Sequence, residues 1–153
     1  MPWLVSFVVA WLLFSALVRR PMLGRTAWGG LAAAAAQVVN DALMIGQDLY
    51  RIQEPLVSIL NSSAFFTLGP PLALGILFAQ YLPRNPWLQA LNIAVWAGFF
   101  LVLETLLRET GVLVYQHWNL ALSFFVDILV LASLTWLLQG AAAPPRPWRY
   151  PRR

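Results

Sequence analysis

Three carboxylic acids, Asp41, Glu104 and Asp127, stand inside long apolar runs of the chain. An acid at the centre of a membrane-spanning helix costs roughly 2.5 to 3.5 kcal/mol, so each needs a partner, water or a proton. Amides and hydroxyls accompany them at helical spacing. Gln37, Asn40, Asp41, Met44 and Asp48 follow steps of three or four, and Asn119, Ser123 and Asp127 stand at i, i+4 and i+8. Asn61, Ser62 and Ser63 add a polar group near the start of another apolar run. Stripes of this kind face a helix bundle or water, not acyl chains. The chemistry open to them is ligand recognition through hydrogen bonds, proton donation by a carboxylic acid, or clamping of one helix to another.

Counterions are few. Arg108 follows Glu104 at the i+4 spacing of a helical ion pair, and Tyr50, Arg51, Tyr115 and His117 fall in connectors able to fold over the same region. His117, between Gln116 and Trp118, suits an acid–base role or an aromatic anchor at the membrane–water interface. The expected ligand-binding set is Asn40, Asp41, Asn61, Glu104, Arg108, Tyr115, Asn119, Ser123 and Asp127. Asp41, Glu104, Asn119 and Asp127 are expected to converge on one buried site with Asn61 nearby. Glu104, Asp127 and His117 are candidates for proton transfer, but no catalytic set is assigned.

The elements that must position these groups are five apolar runs: about Pro2 to Val18, Thr26 to Gly46, Leu56 to Leu82, Leu88 to Leu107 and Trp118 to Leu138. Each is near or above the roughly 17 to 25 residues that cross hydrocarbon. The third is too long for a straight span, and Gly69-Pro70-Pro71 predicts a kink within it. The first lacks a basic leader and a cleavage site, and reads as a retained helix, not a signal peptide. Gly29, Gly30 and the alanines Ala32 to Ala36 give the second run a small-residue face for close helix packing. The fold expected is therefore all-α, a polytopic membrane bundle of five transmembrane helices over residues 1–140, with a basic, Pro-rich tail over 141–153.

Arginine sets the orientation. Arg19, Arg20, Arg25, Arg84 and the four arginines of the tail fall on one face of this map, against Arg51 and Arg108 on the other. Eight against two places the N-terminus outside and the C-terminus inside, a multi-pass protein of the cell membrane. It also puts the acids in the outer half of the bilayer or near its midplane.

Composition agrees and excludes other classes. The chain is 60% hydrophobic and only 10% charged, with a mean hydropathy of +0.68, where about 25% charged is usual for a soluble domain. No cysteine is present and there is a single histidine, which rules out thiolate chemistry, disulfides and a His-rich metal site. No cofactor is expected. The net charge of +4 is gathered at two topology-determining places, with no basic helix to meet a nucleic acid.

The block from Ile93 to Leu131 resembles an uncharacterised family of small multi-pass integral membrane proteins of Gram-positive spore-forming bacteria. Glu104 late in one span, a connector with Gly111 and Tyr115, then Trp118-Asn119 opening the last span, followed by Ser123 and Asp127, carry the resemblance. Asp41, Gly46 and the Pro-containing third span fit as well, while Tyr50-Arg51-Ile52 stands where the family has Trp-x-Tyr. The resemblance implies a membrane fold and these site positions, and names no activity. The layout is more distantly similar to membrane lycopene cyclase domains, whose paired-Glu motif after a proline is missing here, since Glu54-Pro55 reverses the order.

The leading expectation is a non-enzymatic membrane protein whose outer-half pocket binds a lipid-like or small ligand or docks a membrane-protein partner. Its partners are membrane lipids, with a homo-oligomer compatible and nucleic acid not. The alternatives are a small isoprenoid- or lipid-modifying enzyme using a protonated carboxylic acid, and a proton or ion pathway.

Overall fold

The computed structural model describes residues 1–53, 55–60 and 62–142. The described chain is mostly helical. Helix α1 (Pro2–Leu17) leads through a 3-10 turn (Arg20–Met22) into α2 (Leu23–Gly46), the chain bending by 101° between them. Then come α3 (Ala64–Leu68), α4 (Pro70–Gln80), α5 (Pro86–Glu109) and α6 (Leu120–Ala142). Helices α5 and α6 are each long and apolar enough to cross a membrane, and the bent α1–α2 pair raises that number to three if it is one span.

The expected kink is a break. Helix α3 ends at Leu68 and α4 starts at Pro70, with Gly69 between them. Pro70 and Pro71 occupy the first positions of α4, where a missing N–H costs nothing. The excess length of the third run goes elsewhere, because Leu56 to Leu60 and Ser62 to Ser63 are not helical. Strand β2 (Ser58–Ile59) there turns back on β3 (Ser62–Ser63), and the Ser63 hydroxyl then caps α3 by accepting from the Phe66 N–H at 3.4 Å. The last helix likewise begins at Leu120, two residues later than expected, and continues to Ala142. The tail from 143 onward, and Glu54 and Asn61, lie outside the described residues.

Packing runs α1–α4–α2–α6–α5 across the bundle. The α2–α4 contact is the closest. A Cβ at Gly30 would stand 2.5 Å from the Leu72 carbonyl oxygen, and one at Gly29 would stand 2.5 Å from Ala79 Cβ, so the two helices approach as only small residues permit. Two polar ties fix α1 at its ends. Trp3 Nε1 donates to the Gln53 carbonyl at 3.0 Å, and the Tyr81 hydroxyl donates to the Leu17 carbonyl at 2.8 Å.

The outer face of the bundle is apolar. Leu88, Leu91, Val95, Phe99, Val102 and Leu106 are exposed along α5 in steps of three or four, and Leu122, Phe125 and Leu129 continue the pattern on α6. A contiguous apolar patch of this kind marks a surface that meets protein or membrane.

Two strands outside the helices were invisible to a helical reading. β1 (Tyr50–Ile52) follows α2, and β4 (Leu113–Tyr115) follows α5; they pair antiparallel with Tyr50 opposite Tyr115. Directly opposed residues share a face of a ribbon. The pairing therefore turns both tyrosines to the bundle, while Arg51, next along β1 and opposite Val114, points to solvent.

Candidate functional site

At the end of the bundle covered by the β1–β4 ribbon, the acids of α2, α5 and α6 line one cavity of about 70 Å³ with Gln37, Asn40, Tyr50 and Ser123, and with Trp3, Phe66 and Trp118 among its apolar walls. Asp41 and Glu104 stand five residues before the ends of α2 and α5, and Asp127 seven residues into α6. At 1.5 Å per residue that is roughly 7 to 11 Å below the helix ends.

Each of two acids holds a tyrosine. Asp41, only 2% exposed, accepts at Oδ1 from the Tyr50 hydroxyl at 2.5 Å and from Gln37 Nε2 at 2.8 Å. Gln37 reaches it from one turn earlier on the same helix. Glu104 accepts at Oε1 from the Tyr115 hydroxyl at 2.5 Å and from Ser123 Oγ at 2.8 Å, and Ser123 in turn accepts from Trp118 Nε1 at 2.7 Å. Cross-strand pairing of the tyrosines thus becomes paired donation to two acids on different helices. Burial first, and then the charge of Asp41, push the Tyr50 phenol well above its ordinary range; burial and the hydrogen bond to Glu104 do the same to Tyr115. Both remain O–H donors at physiological pH.

Acceptors are left over among the described residues. Among the described residues Asp41 Oδ2 is buried with no hydrogen-bond partner. Ser62 stands beside this carboxyl, its hydroxyl 3.0 Å from the Thr67 hydroxyl, and by accepting from Thr67 it stays able to donate toward Asp41. No hydrogen bond joins Asp127 to another described residue, although it lines the cavity near Glu104.

Several expected members lie elsewhere. Arg108 does not pair with Glu104 within ion-pair distance; its guanidinium lies 4.2 Å from the centre of the Tyr115 ring, on the outer side of that tyrosine. Asn119 does not line the cavity: it precedes α6 and accepts from the Leu122 N–H at 3.0 Å, in the manner of a helix cap. His117 is exposed, with Nδ1 at 3.4 Å from the Asp48 carbonyl oxygen, away from all three acids. Asn61 falls outside the described residues. Conversely, Trp3 arrives from α1 at the far end of the sequence with no local signal of its place in the site, while Tyr50, expected only as a connector residue able to fold over the region, reaches the cavity from the ribbon. Gln37 was legible from its four-residue spacing to Asp41.

The polar cavity does not end at the acids. Gln37, Asn40, Phe100, Val126 and Asp127 also line a second cavity of about 50 Å³, whose remaining walls include Ala33, Pro71, Gly75, Phe78 and Leu134. Ala33, Ala36, Val130 and Leu134 pass from it into a third space of about 270 Å³ between α2 and α6, lined otherwise by Ala32, Leu129, Ser133 and Leu137. Polarity falls along this series from carboxylates to a nearly pure aliphatic crevice. Among the described residues no cluster of His, Cys, Asp and Glu fits a metal ion.

Comparison with protein-family models, with curated proteins and with solved structures returns no match. The chemistry of the site is what remains to define its task.

Proposed function

We propose that the protein is a five-span integral membrane protein of the cell membrane, N-terminus outside and C-terminus inside, that binds a lipid-like amphiphile through a cavity series that starts at the polar chamber in its outer half and runs inward between α2 and α6. The observation that carries this reading is that the three cavities share walls in sequence: common residues lie between a carboxylate-lined chamber and an aliphatic crevice. A polar head and an apolar chain are the two halves of a ligand that such a gradient fits.

The apolar stripes on α5 and α6 support the membrane setting, since they expose what only hydrocarbon tolerates. Helices α3 and α4 together hold 16 residues, about 24 Å at the helical rise and less than the roughly 30 Å of a bilayer core. Most of α4 is buried in the bundle, so it meets protein and not lipid and need not match that thickness. Helix α1, also 16 residues, bears exposed Val5, Val8, Val9 and Leu12 and is accommodated by local thinning. The eight-to-two distribution of arginines sets the direction.

Two experiments test the reading. Solvent extraction of the purified protein followed by mass spectrometry should recover one enriched amphiphile class; an extract matching that of an unrelated membrane protein overturns the binding role. Single cysteines, Asp48→Cys and Arg149→Cys, should label from outside and inside respectively. Labelling of both from one side overturns the five-span map.

A further inference from the structure

We infer that the end of the bundle opposite the ribbon is a docking surface for anionic lipid headgroups, with Arg19, Arg20, Arg25 and Arg84 as the groups that meet their phosphates. The inference goes beyond the amphiphile reading and rests only on the membrane setting proposed above.

Charge is sorted to the two ends of the molecule. Asp41, Glu104 and Asp127 line the polar chamber, Asp48 and Glu109 stand where α2 and α5 end, and no Asp or Glu occurs in residues 1–40, 55–103 or 128–153. At the opposite end α1 closes on α4. The Arg19 N–H donates to Gln80 Oε1 at 3.1 Å, beside the bond from Tyr81 to the Leu17 carbonyl. Arg20 and Arg25 stand where the chain turns into α2, and Arg84 just before α5, and all four arginines are exposed. The Arg19 guanidinium lies 4.9 Å from the centre of the Tyr81 ring, which places its charge without neutralising it. Among the described residues none of the four forms an ion pair, whereas at the ribbon end Arg51 meets Asp48 and Arg108 lies on Tyr115. Four cations with no acid of their own draw their counter-charge from outside the chain.

The aromatic residues say where that counter-charge comes from. Of the described tryptophans only Trp28, Trp87 and Trp136 are exposed, at 69%, 86% and 77%, and all three belong to this end. At the helical rise they stand within roughly 9 Å of the start of α2, the start of α5 and the end of α6. Exposed indoles at one level of an apolar bundle mark the height of lipid headgroups. The apolar stripe of α5 begins beside Trp87, at Leu88. Guanidinium groups just beyond that level meet phosphate, which they bind through two parallel N–H donors. An arginine near an anionic membrane surface favours it by about fivefold.

The test uses the full-length protein in phosphatidylcholine vesicles carrying a trace of spin-labelled phosphatidylglycerol or spin-labelled phosphatidylcholine with the same chains. The share of label that the protein immobilises gives the relative association of each lipid. Phosphatidylglycerol should associate at least about threefold more strongly at low salt, and the preference should vanish in 1 M salt, where the screening length is about 3 Å. The triple variant Arg20→Gln, Arg25→Gln, Arg84→Gln should lose at least half of it, and should fold, since none of these side chains bonds to a described residue. Arg51→Gln, at the other end, should keep it whole. Equal association of the two lipids, a preference that survives 1 M salt, or a triple variant that retains the full preference overturns the inference. Binding of soluble polyglutamate by a protein with no lipid preference would give these arginines to an acidic protein partner instead. Protein stripped from the vesicles by alkaline carbonate would overturn the membrane setting itself, so the two failures are told apart.

Discussion

Helix α2 is built in two halves that obey opposite rules. Its first half lays Gly29, Gly30 and Ala33 against α4 so closely that a single methyl group would strike backbone. Its second half holds Gln37, Asn40 and Asp41 at the wall of a cavity, with one carboxylate oxygen buried and unmet among the described residues. The first arrangement gains stability from contact and leaves no room. The second keeps room and an unsatisfied acceptor, a combination that packing alone would remove, and one commonly retained where a ligand completes the structure.

The largest expected effect belongs to the packed half. Gly30→Ala places a Cβ 2.5 Å from the Leu72 carbonyl oxygen, which cannot move without displacing α4. It should destabilise by about 3 kcal/mol, the upper end of ordinary overpacking, read as a fall in the thermal unfolding midpoint in detergent. Gly46→Ala on the same helix meets nothing within 4 Å and should be neutral or slightly stabilising. Equal effects at the two glycines would erase the contrast between the halves.

Next in size is the ribbon's hold on the acids. Tyr115→Phe removes a donor from Glu104 but keeps the ring under Arg108. Ser123 still donates to Glu104, so a loss of about 1.5 to 2 kcal/mol is expected, the range for a hydrogen bond to a charged group. The same change in thermal stability from Arg108→Gln would show that the guanidinium, and not the phenol, is what holds Glu104.

Asp41→Asn should move stability and binding in opposite directions. The amide oxygen can still accept from Tyr50 and Gln37, while the buried carboxylate and its desolvation cost are gone, so the empty protein should hold or gain about 1 kcal/mol. Enrichment of the bound amphiphile on solvent extraction should fall at the same time. A variant that loses stability with no change in binding would make Asp41 a helix clamp, and the second half of α2 would then be no different in kind from the first.

These contrasts also measure what the sequence disclosed. Apolar runs located the helices, Gly69-Pro70 located the break, and the spacing of Gln37 to Asp41 and of Ser123 to Asp127 located faces that do line the cavity. The same spacing rule misled at Asn119, because the i, i+4 pattern was extended to the residue just before the helix starts, and a residue at that place caps instead of lining. Leu56 to Leu60 read as helix because hydrophobicity alone does not separate a short strand from the first turns of a span. The β1–β4 pairing could not be read at all. It joins residues some 60 positions apart, and only that pairing explains why two tyrosines reach two acids.

Alkaline pH should expose the tyrosines' part in the polar half. A group whose pKa is higher folded than unfolded contributes stability that is whole below its unfolded value and is lost as pH rises through the folded value. For Tyr50 and Tyr115 the contribution is therefore complete below the ordinary tyrosine value of 10.0 and declines above it. Unfolding midpoints taken from pH 8 to pH 11 should fall at the top of that range, and less steeply in Tyr50→Phe. An identical slope in the variant would mean that the Tyr50 phenol ionises as freely folded as unfolded.

The smallest effect is expected at the rim above the cavity, where Asp48 carries a left-handed backbone, φ 58°, and meets Arg51 at 3.0 Å with both side chains mostly in solvent. Asp48→Gly acts in three small ways. It removes an exposed ion pair worth about 0.2 to 1 kcal/mol, it relieves a conformation that glycine adopts freely, and it loosens the unfolded chain by a similar amount. The terms oppose one another, so stability should stay within about 0.5 kcal/mol. His117 contacts the backbone oxygen of Asp48, which the substitution keeps. Enrichment of the bound amphiphile should change by less than about twofold at 0.15 M salt, because a charge in water at the rim is screened from the chamber by solvent ions. A tenfold change would mean that the rim's charges help gather the ligand, and the boundary of the site would then have to be drawn outward to include the first connector.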